Sequence, residues 1–350
     1  MRSPSNVHMQ SGFWSKLKKP FFTLAPMADV TDFAFREIIS KYSKPDVLWT
    51  EFVSADGLSH KDAREKLLID FKYSEIQRPI VAQIFGARPE NIRTAAALVA
   101  RLGFDGIDIN MGCPDKSIEK QGAGAALIKN PKLAQEIIFA AKDGAEHLPV
   151  SVKTRIGYNK DETETWIPTI LETGIAAISI HARTRKEMSN TKARWDSVAR
   201  AKELAKNTST LIIGNGDVIN MEDAKEKARA TGADGIMFGR AIFGNPWLFA
   251  TVGHPMSNSL KNSEKLKPCD ISKEITIAQK LIVMVEHTKL FEKELGVYKN
   301  FAIMKKHYKA YINGFDGAKE LRTKLMDATD AREVEMMVAA YLTNNTKTLA

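Results

Sequence analysis

Residues 101–114 read RLGFDGIDINMGCP, and this stretch decides the fold. A helical segment ends at Gly103, an apolar run with alternating polar residues begins at Gly106, and a Gly-Cys-Pro turn closes it. The same order of helix end, glycine and new strand recurs as ETGIAAI at residues 172–178 and as ATGADGI at residues 230–236. The repetition indicates a chain built from successive β/α units.

Eight apolar runs of strand length lie in this part of the chain, separated by segments with helical periodicity. Most are apolar on both faces, as buried parallel strands are. Eight such units predict an α/β fold of the (β/α)8 TIM barrel type. A doubly wound sheet is the alternative, but no GxGxxG motif follows the first run. The predicted strands span residues 21–27, 46–54, 79–85, 105–110, 149–154, 176–181, 210–215 and 234–239.

The chain is predicted to have four regions. Residues 1–20 form a basic N-terminal extension that lacks the continuous apolar segment of a secretory signal. Residues 21–250 form the barrel, and residues 251–270 are polar with scattered Pro, Gly and Ser, which predicts a linker. Residues 271–350 carry apolar residues at spacings of three and four, which predicts a small C-terminal α-helical bundle.

Composition limits the class of protein. The 350 residues are 44% hydrophobic and 27% charged, which is typical of a globular chain. Two cysteines, Cys113 and Cys269, are too few for a disulfide framework and favour a reducing compartment, the cytoplasm. No apolar run approaches the ~20 residues that span a bilayer, so no membrane partner is expected. The net charge of +9 favours a polyanionic partner.

Polar residues follow the predicted strands at their carboxyl ends, where TIM barrels carry their active sites. The Lys153 and Arg155 side chains alternate with apolar residues and need an anion or an electron-rich ligand such as a flavin. The side chain of Gln83 can bind the pyrimidine edge of that ring. The complete set is Gln83, Asn110, Cys113, Lys153, Arg155, His181, Asn215, Asp217, Gly239 and Arg240.

The last two strands predict a phosphate site. Gly214, Gly216 and Gly239 allow backbone N–H groups to approach a phosphate closely, and Arg240 adds a fixed positive fork. Two tight turns without a ligand are the alternative. His181 is compatible with either a structural or a catalytic role.

Cys113 lies in the Gly-Cys-Pro turn rather than inside an apolar run. The sequence has no CxxC motif and no cluster with metal-ligand spacing, so we expect no metal. A Cys-His-Asn protease is possible, but no protease-type sequence context surrounds this thiol. A thiol above a flavin can instead give a proton to one carbon of a C=C bond while the flavin gives hydride to the other.

Six motifs in order resemble the tRNA-dihydrouridine synthases, most closely the B-type bacterial branch. The resemblance extends from about residue 23 to residue 249, with a weaker similarity in MKKHYKAYINGFDGAKELRTKL. The motifs are APMADVTDFAFR (25–36), DINMGCPDKSI (108–118), VKTRIG (152–157), IHARTR (180–185), NGD (215–217) and GRAIFGNPWLF (239–249).

The resemblance implies an FMN-dependent enzyme that reduces the C5=C6 bond of particular uridines in tRNA and uses NADPH as reductant. Hydride would reach C6 from the flavin, and Cys113 would be the catalytic acid that protonates C5. The residues implied to bind FMN are Pro26, Met27, Ala28, Gln83, Lys153, His181, Asn215, Gly216, Asp217, Gly239 and Arg240. Those implied to contact the substrate are Asn110, Arg155, Arg183, Lys305, Lys306, Lys309 and Arg322.

The helical tail is interpreted as a surface for tRNA because basic residues and the aromatic residues His307, Tyr308 and Tyr311 lie close in sequence. The chain departs from the family pattern at Asp29, where the family usually has glycine, and at Ser117, where many members have a basic residue.

We expect a monomer without an obligatory protein partner. A flavin barrel acting on free pyrimidines and an RNA-binding scaffold without catalysis are the alternatives.

Overall fold

The computed structural model describes residues 12–250 and 275–345, which belong to two compact units. One unit contains Asp46–Phe71, Arg78–Gly239 and the N-terminal part of the chain through Ala28. The other contains Asp29–Pro45, Lys72–Gln77 and the chain from Arg240 onward. The predicted linker at 251–270, with Cys269, and residues 271–274 lie outside the described residues, as do residues 1–11. In the described ranges, no helix is both long and apolar enough to cross a membrane.

Eight parallel strands of the first unit form one sheet in which each strand lies beside its neighbour in sequence. An isolated bridge between Thr23 and Val47 joins the first strand to the start of the second, so the sheet closes on itself. The predicted TIM barrel is confirmed, although its first strand is shorter than expected and excludes Met27. The strands are β1 Phe21–Leu24, β2 Leu48–Ser54, β3 Ile80–Phe85, β4 Gly106–Met111, β5 Val150–Arg155, β6 Ala177–His181, β7 Leu211–Asn215 and β8 Gly235–Phe238.

Helices follow the strands as the β/α pattern requires. The helix at Pro131–Gly144 begins after Asn130, whose side chain accepts from the Leu133 N–H at 3.3 Å, and proline occupies its first turn. The α-helices of the barrel unit are α2 Ala55–Ser59, α3 Lys61–Leu67, α4 Pro89–Arg101, α5 Lys116–Glu119, α6 Pro131–Gly144, α7 Thr163–Leu171, α8 Trp195–Leu204 and α9 Met221–Thr231, after α1 Phe33–Tyr42 of the other unit. Short 3₁₀ turns occupy Gly12–Lys16, Leu68–Phe71, Glu75–Gln77, Gly124–Lys129, Arg240–Ile242 and Phe301–Ile303.

The amino-terminal end of the barrel is filled by apolar side chains. Trp14, from the turn Gly12–Lys16, is 2% exposed, and its ring centroid lies 5.9 Å from that of Phe21 and 6.0 Å from that of Trp49. Phe21 and Trp49 stand at the starts of β1 and β2, so part of the predicted N-terminal extension packs into the core here. The carboxyl ends of the strands are thereby left to carry the polar groups.

The second unit is helical, which confirms the predicted C-terminal helices. Its first helix, α1, begins after Asp32, whose side chain accepts from the Phe35 N–H at 2.9 Å. The Phe35 ring lies 5.7 Å from that of His287 and 5.3 Å from that of His307, so α1 shares a core with the C-terminal helices. Those helices are α10 Ile277–Leu295, α11 Met304–Tyr311, α12 Ala318–Leu325 and α13 Ala331–Asn344.

Candidate active site

The predicted site residues that lie within strands share the inner face of the barrel, in the half nearer the carboxyl ends. Residues in register on neighbouring parallel strands point to the same side of a sheet, so they form cross-strand rows. One row contains Gln83, Asp108 and Ser151, the next contains Asn110 and Lys153, and the last contains Arg155, His181 and Asn215. Three of the predicted residues, Arg155, His181 and Asn215, are the final residues of their strands.

A buried carboxylate lies at the centre of the first row, and the sequence interpretation did not single it out. Asp108 is fully buried and accepts from Gln83 Nε2 at 2.7 Å and from Ser151 Oγ at 2.5 Å. Burial raises the pKa of Asp108 to about 6, although these hydrogen bonds and the charge of Lys153 favour the carboxylate. The sequence pattern could have identified Asp108, because the alternation in GIDINM puts Asp108 and Asn110 on one face of the strand.

The Gly-Cys-Pro turn is held by hydrogen bonds that other residues make to its backbone. The Asn110 Oδ1 accepts from the Gly112 N–H at 3.1 Å and from the Cys113 N–H at 2.9 Å. On the other side, the Cys113 carbonyl accepts from the Ala125 N–H at 2.9 Å. Gly124 makes this approach possible, since a Cβ there would lie 2.7 Å from the Cys113 carbonyl oxygen. The backbone that carries the thiol is therefore fixed from two sides.

The Cys113 thiol is half-buried, and its surroundings keep it protonated. Burial raises the pKa of Cys113 above its ordinary value, whereas the positive charges of Lys153 and Arg155 act in the opposite direction. A cysteine with a raised pKa is a poor nucleophile at neutral pH and a competent proton donor.

Lys153 is the cation in the cross-strand row that contains Asn110. Its side chain is half-buried, and its Nζ lies 3.4 Å from the Asn215 Oδ1. Burial and then the charge of Arg155 lower the pKa of Lys153 to about 8, so the amine stays largely protonated at neutral pH. Asn215 is itself oriented by a 2.8 Å hydrogen bond from its Nδ2 to the Met237 carbonyl.

The Arg155 side chain binds three backbone carbonyls. Its Nε donates to Gly112 at 2.8 Å, and its Nη1 donates to Thr184 at 3.0 Å and to Met188 at 2.9 Å. Three of the five guanidinium N–H donors are used in this way, and the side chain is 7% exposed. Arg155 thus joins the loop after β4 to the loop after β6, while its predicted contact with substrate stays a prediction.

His181, Arg183 and Asp217 form a second cluster, in which Arg183 is buried, His181 is half-buried and Asp217 is largely exposed. The Arg183 side chain is 3% exposed, and it contacts His181 Nε2 at 3.1 Å, the Thr191 carbonyl at 2.7 Å and the Asp217 carboxylate. Since arginine only donates, His181 Nε2 must accept, which places the proton of the neutral imidazole on Nδ1. Asp217 also accepts from the Ala193 N–H at 2.9 Å, so the cluster fixes the turn after β7.

The three glycines of the predicted phosphate site have different structural causes. At Gly214 an added Cβ would lie 2.4 Å from the Trp195 ring, so packing alone requires glycine there. Gly216 has φ +128°, and its Cβ would lie 2.9 Å from that of Ala193. At Gly239 an added Cβ would meet nothing within 4 Å. Open space beside Gly239 fits a bound group, whereas Gly214 has no such space.

The segment Pro26–Ala28 leaves β1 at the same end of the barrel. The Ala25 N–H donates to the Phe238 carbonyl at 2.8 Å, which holds this exit beside the end of β8. The next residue, Asp29, has φ +53°, a conformation that favours glycine. The usual glycine at this position therefore has a backbone cause, and aspartate is among the few side chains that tolerate it.

The predicted RNA-contact residues of the helical unit are partly accessible. Lys309 is exposed, Lys305 and Lys306 are half-buried, and Arg322 donates to the Ile312 carbonyl at 3.0 Å. The predicted aromatic component of this surface is wrong. The three rings lie in the core of the unit, because they pack around Phe35 and α10; they are His307 at 1%, Tyr308 at 0% and Tyr311 at 2% exposure.

Comparison with known proteins gives consistent matches along the chain. The family model described as Dihydrouridine synthase (Dus) matches residues 23–347. A protein of Staphylococcus aureus (strain COL) named "Probable tRNA-dihydrouridine synthase" is 39% identical over 337 residues, which cover 95% of this chain and 96% of that protein. "Probable tRNA-dihydrouridine synthase 2" of Bacillus subtilis (strain 168) is 40% identical over 333 residues, covering 94% and 96% respectively.

A third relative, from Staphylococcus epidermidis (strain ATCC 35984), is also named "Probable tRNA-dihydrouridine synthase" and is 40% identical over 339 residues. These matches include the β4 turn with Cys113 and extend into the C-terminal helices. The chain belongs to the dihydrouridine synthase family.

Proposed function

We propose that this protein is an oxidoreductase that reduces the C5=C6 bond of uridines in tRNA, with FMN as cofactor and NADPH as reductant. The observation that carries the proposal is the Cys113 turn. A protonated thiol is held by its backbone at the carboxyl end of the barrel, in a chain that belongs to the dihydrouridine synthase family. Hydride addition to C6 of a C5=C6 bond conjugated with the C4 carbonyl leaves C5 to be protonated, which needs a proton donor fixed in such a position.

The residues of the barrel fit a flavin mononucleotide. Gly239 has open space where a side chain would be, which suits a phosphate approaching the backbone after β8. The Lys153 ammonium is half-buried on the inner face, where it can stabilise negative charge on a ring. The groups that would hold the cofactor are Pro26, Met27, Ala28, Gln83, Lys153, His181, Asn215, Gly216, Asp217 and Gly239, together with Arg240, the next residue in the chain.

FMN, when bound and reduced by NADPH, supplies the hydride that adds to C6. Cys113 holds the proton for C5, and the bond to that proton breaks as the C5–H bond forms. The product of this transfer is a thiolate. The positive charges of Lys153 and Arg155 stabilise that thiolate, since both lower the pKa of Cys113 against the effect of burial. Solvent then restores the thiol. Asn110 keeps the turn in place throughout this transfer by accepting from two backbone N–H groups.

Two basic regions support tRNA as the substrate. In the helical unit, Lys305, Lys306, Lys309 and Arg322 stay our predicted RNA contacts. In the barrel unit, the loops after β4, β5 and β6 carry further exposed lysines, and the Arg185 guanidinium ties two of these loops together through Glu119. A uridine must leave the folded tRNA to reach the barrel, so docking along the phosphates has to offset the cost of extrusion. The barrel lysines are Lys116, Lys120, Lys160, Lys186 and Lys192.

The test uses tRNA from cells that lack dihydrouridine. The purified protein is loaded with FMN, incubated with this tRNA and NADPH, and dihydrouridine is quantified by mass spectrometry of the nucleosides. We expect product on tRNA and none on free uridine or uracil. Reduction of a free pyrimidine without product on tRNA would instead assign the protein to small-molecule metabolism. A preparation that binds tRNA but holds no flavin would indicate a scaffold. A cytoplasmic location and a monomeric state belong to the same proposal.

A further inference from the structure

We propose that Asp108 is a positioning residue for Cys113, because it fixes the direction of a buried hydrogen-bond chain that runs through Gln83 and Asn110 to the backbone of the Gly-Cys turn. The catalytic consequence rests on the proposed function, whereas the positioning itself does not.

Each link of the chain is a short contact between side chains of neighbouring strands. Gln83 Nε2 donates to Asp108 at 2.7 Å, and Asn110 Nδ2 donates to Gln83 Oε1 at 3.1 Å. Asn110 Oδ1 then accepts from the Cys113 N–H at 2.9 Å and from the Gly112 N–H at 3.1 Å. Asp108 is thus connected to the catalytic turn through two amides.

The hydrogen bonds from Asn110 through Gln83 to Asp108 can run in one direction only, and Asp108 sets that direction at one end. A carboxylate only accepts, so the amide of Gln83 must present its nitrogen to Asp108 and its oxygen to Asn110. Asn110 must then present its nitrogen to Gln83, which leaves its oxygen for the two backbone N–H groups. Those groups only donate, so both ends require the same orientation of both amides.

Burial makes this direction costly to change. Gln83 and Asp108 are 0% exposed and Asn110 is 6% exposed, so solvent has little access to a reversed amide. Reversal would put two donors against each other at the Cys113 turn and leave buried polar atoms unsatisfied. The second Asp108 oxygen is held by Ser151 at 2.5 Å, which prevents the carboxyl from turning away.

The competing explanation is that Asp108 acts only as a counter-charge for Lys153. Two variants separate the explanations. Asp108→Asn removes the charge but can still accept from Gln83, while its NH₂ group faces the Ser151 hydroxyl, which can also accept. Asp108→Leu has similar volume and removes both the charge and the acceptor. A role in hydrogen-bond direction predicts different outcomes for these variants, whereas a role as counter-charge predicts the same outcome.

The readout is the reactivity of the Cys113 thiol, measured on full-length protein that carries Cys269→Ala so that Cys113 is the single cysteine. The rate of alkylation by iodoacetamide is followed from pH 6 to pH 10, which gives the thiol pKa and the limiting rate. Circular dichroism and urea unfolding of the flavin-free protein report whether each variant is folded.

We expect Asp108→Leu to change the limiting rate or the thiolate fraction at pH 7.5 by about fivefold or more, as the loss of one buried hydrogen bond implies, and Asp108→Asn to stay within about twofold. Wild-type reactivity in a folded Asp108→Leu protein would overturn the proposal, and so would equal changes in the two variants. If Asp108→Leu does not fold, Gln83→Leu removes the next link and must change the alkylation of Cys113 to a similar extent. This comparison is made on flavin-free protein, because Gln83 is also a proposed flavin contact.

Alkylation requires neither flavin nor tRNA, so it is independent of the proposed reaction. A variant with altered thiol reactivity in a protein that makes no dihydrouridine would retain the positioning role and reject the proposed function. Where the reaction is present, we expect Asp108→Leu to lower the single-turnover rate with tRNA affinity within about twofold, because the chain ends at the catalytic turn.

Discussion

Arg155 and Gly112 are joined by a 2.8 Å hydrogen bond from the guanidinium Nε to the carbonyl that immediately precedes Cys113. The Nη1 of the same side chain holds two carbonyls in the loop after β6. The Gly-Cys-Pro turn is therefore held from the side of β5 by Arg155 and from the side of β3 by the hydrogen-bond chain that begins at Asp108. Both contacts are made to backbone groups of the turn and not to the thiol.

The Arg155 support predicts a specific kinetic effect. Arg155→Lys keeps the charge but cannot reach three carbonyls, so we expect the single-turnover rate of dihydrouridine formation to fall about tenfold or more through misplacement of Cys113. The affinity for tRNA, measured by filter binding, should stay within about twofold. A lower affinity with an unchanged single-turnover rate would instead assign Arg155 to direct contact with the substrate.

The Cys113 thiol predicts a separation of the two halves of the reaction. Cys113→Ala should retain its flavin and allow NADPH to bleach the absorbance near 450 nm, because neither process uses the thiol. Dihydrouridine formation should fall by about 10²- to 10⁴-fold, the usual contribution of a positioned acid. Cys269→Ala is the matched control and should keep full activity. Equal product yields from Cys113→Ala and the control would remove Cys113 from the mechanism.

Gly214 and Gly239 predict opposite consequences for the same substitution. Gly214→Ala forces a Cβ to 2.4 Å from the Trp195 ring, and we expect a loss of about 1–3 kcal/mol in the free energy of unfolding of the apoprotein. Gly239→Ala meets no protein atom within 4 Å, so the apoprotein should change by less than about 1 kcal/mol.

Flavin content provides the second measurement on this pair. Gly239→Ala should lower the FMN occupancy after reconstitution, because the methyl group takes space that we assign to the phosphate. Urea unfolding of the apoprotein and the ratio of absorbance at 450 nm to that at 280 nm give both quantities. A fully flavin-loaded Gly239→Ala protein would show that the phosphate lies elsewhere.

The barrel was predictable because its strands are short, apolar on both faces and separated by glycine stops, all of which are local signals. The positions of Arg155, His181 and Asn215 at the ends of their strands could be predicted directly from the strand pattern. The Asp108 chain could not, because its links join β3 and β4, and their pairing in register is a tertiary property. A polar residue in an alternating run shows which face it occupies, but not which partner it meets there.

The burial of the aromatic residues of α11 could not be predicted from the sequence, for a related physical reason. His307, Tyr308 and Tyr311 are amphipathic, so composition permits either a core or a surface position. Their core position depends on α1, because Phe35 of that helix packs against His307. More than half of the chain separates these two residues in sequence. Contact with RNA phosphates therefore stays a prediction for the basic side chains of this patch alone.

The lysines of the two units predict an effect on tRNA affinity that depends on salt. Lys116→Glu with Lys120→Glu in the barrel unit, and Lys305→Glu with Lys309→Glu in the helical unit, should each weaken binding and lower the slope of log Kd against log salt by about one for each lost phosphate contact. Lys206→Glu with Lys225→Glu is the control, since these lysines already pair with Glu203 and Glu222. An unchanged slope for either pair would remove that region from the RNA surface.

A pair of buried histidines in the helical unit predicts sensitivity to acid. The rings of His287 and His307 lie 4.8 Å apart, and both ring nitrogens of His287 and the Nε2 of His307 lack a hydrogen-bond partner among the described residues. Burial lowers the pKa of His287 to about 3 and lowers the pKa of His307 well below its ordinary value. Both side chains are therefore neutral in the folded protein.

In the unfolded chain histidine titrates near pH 6.5, well above the pKa of either buried histidine, so acid favours the unfolded state. Stability is complete above that pH and falls as the pH drops toward the folded values, because the unfolded state then binds more protons. At pH 5 each histidine should cost roughly 2 kcal/mol in the free energy of unfolding. Urea unfolding at pH 7.5 and pH 5 should show a smaller difference for His287→Leu than for wild type, and an unaltered one for the exposed His147→Gln. A difference that His287→Leu leaves intact would assign the acid sensitivity to other groups.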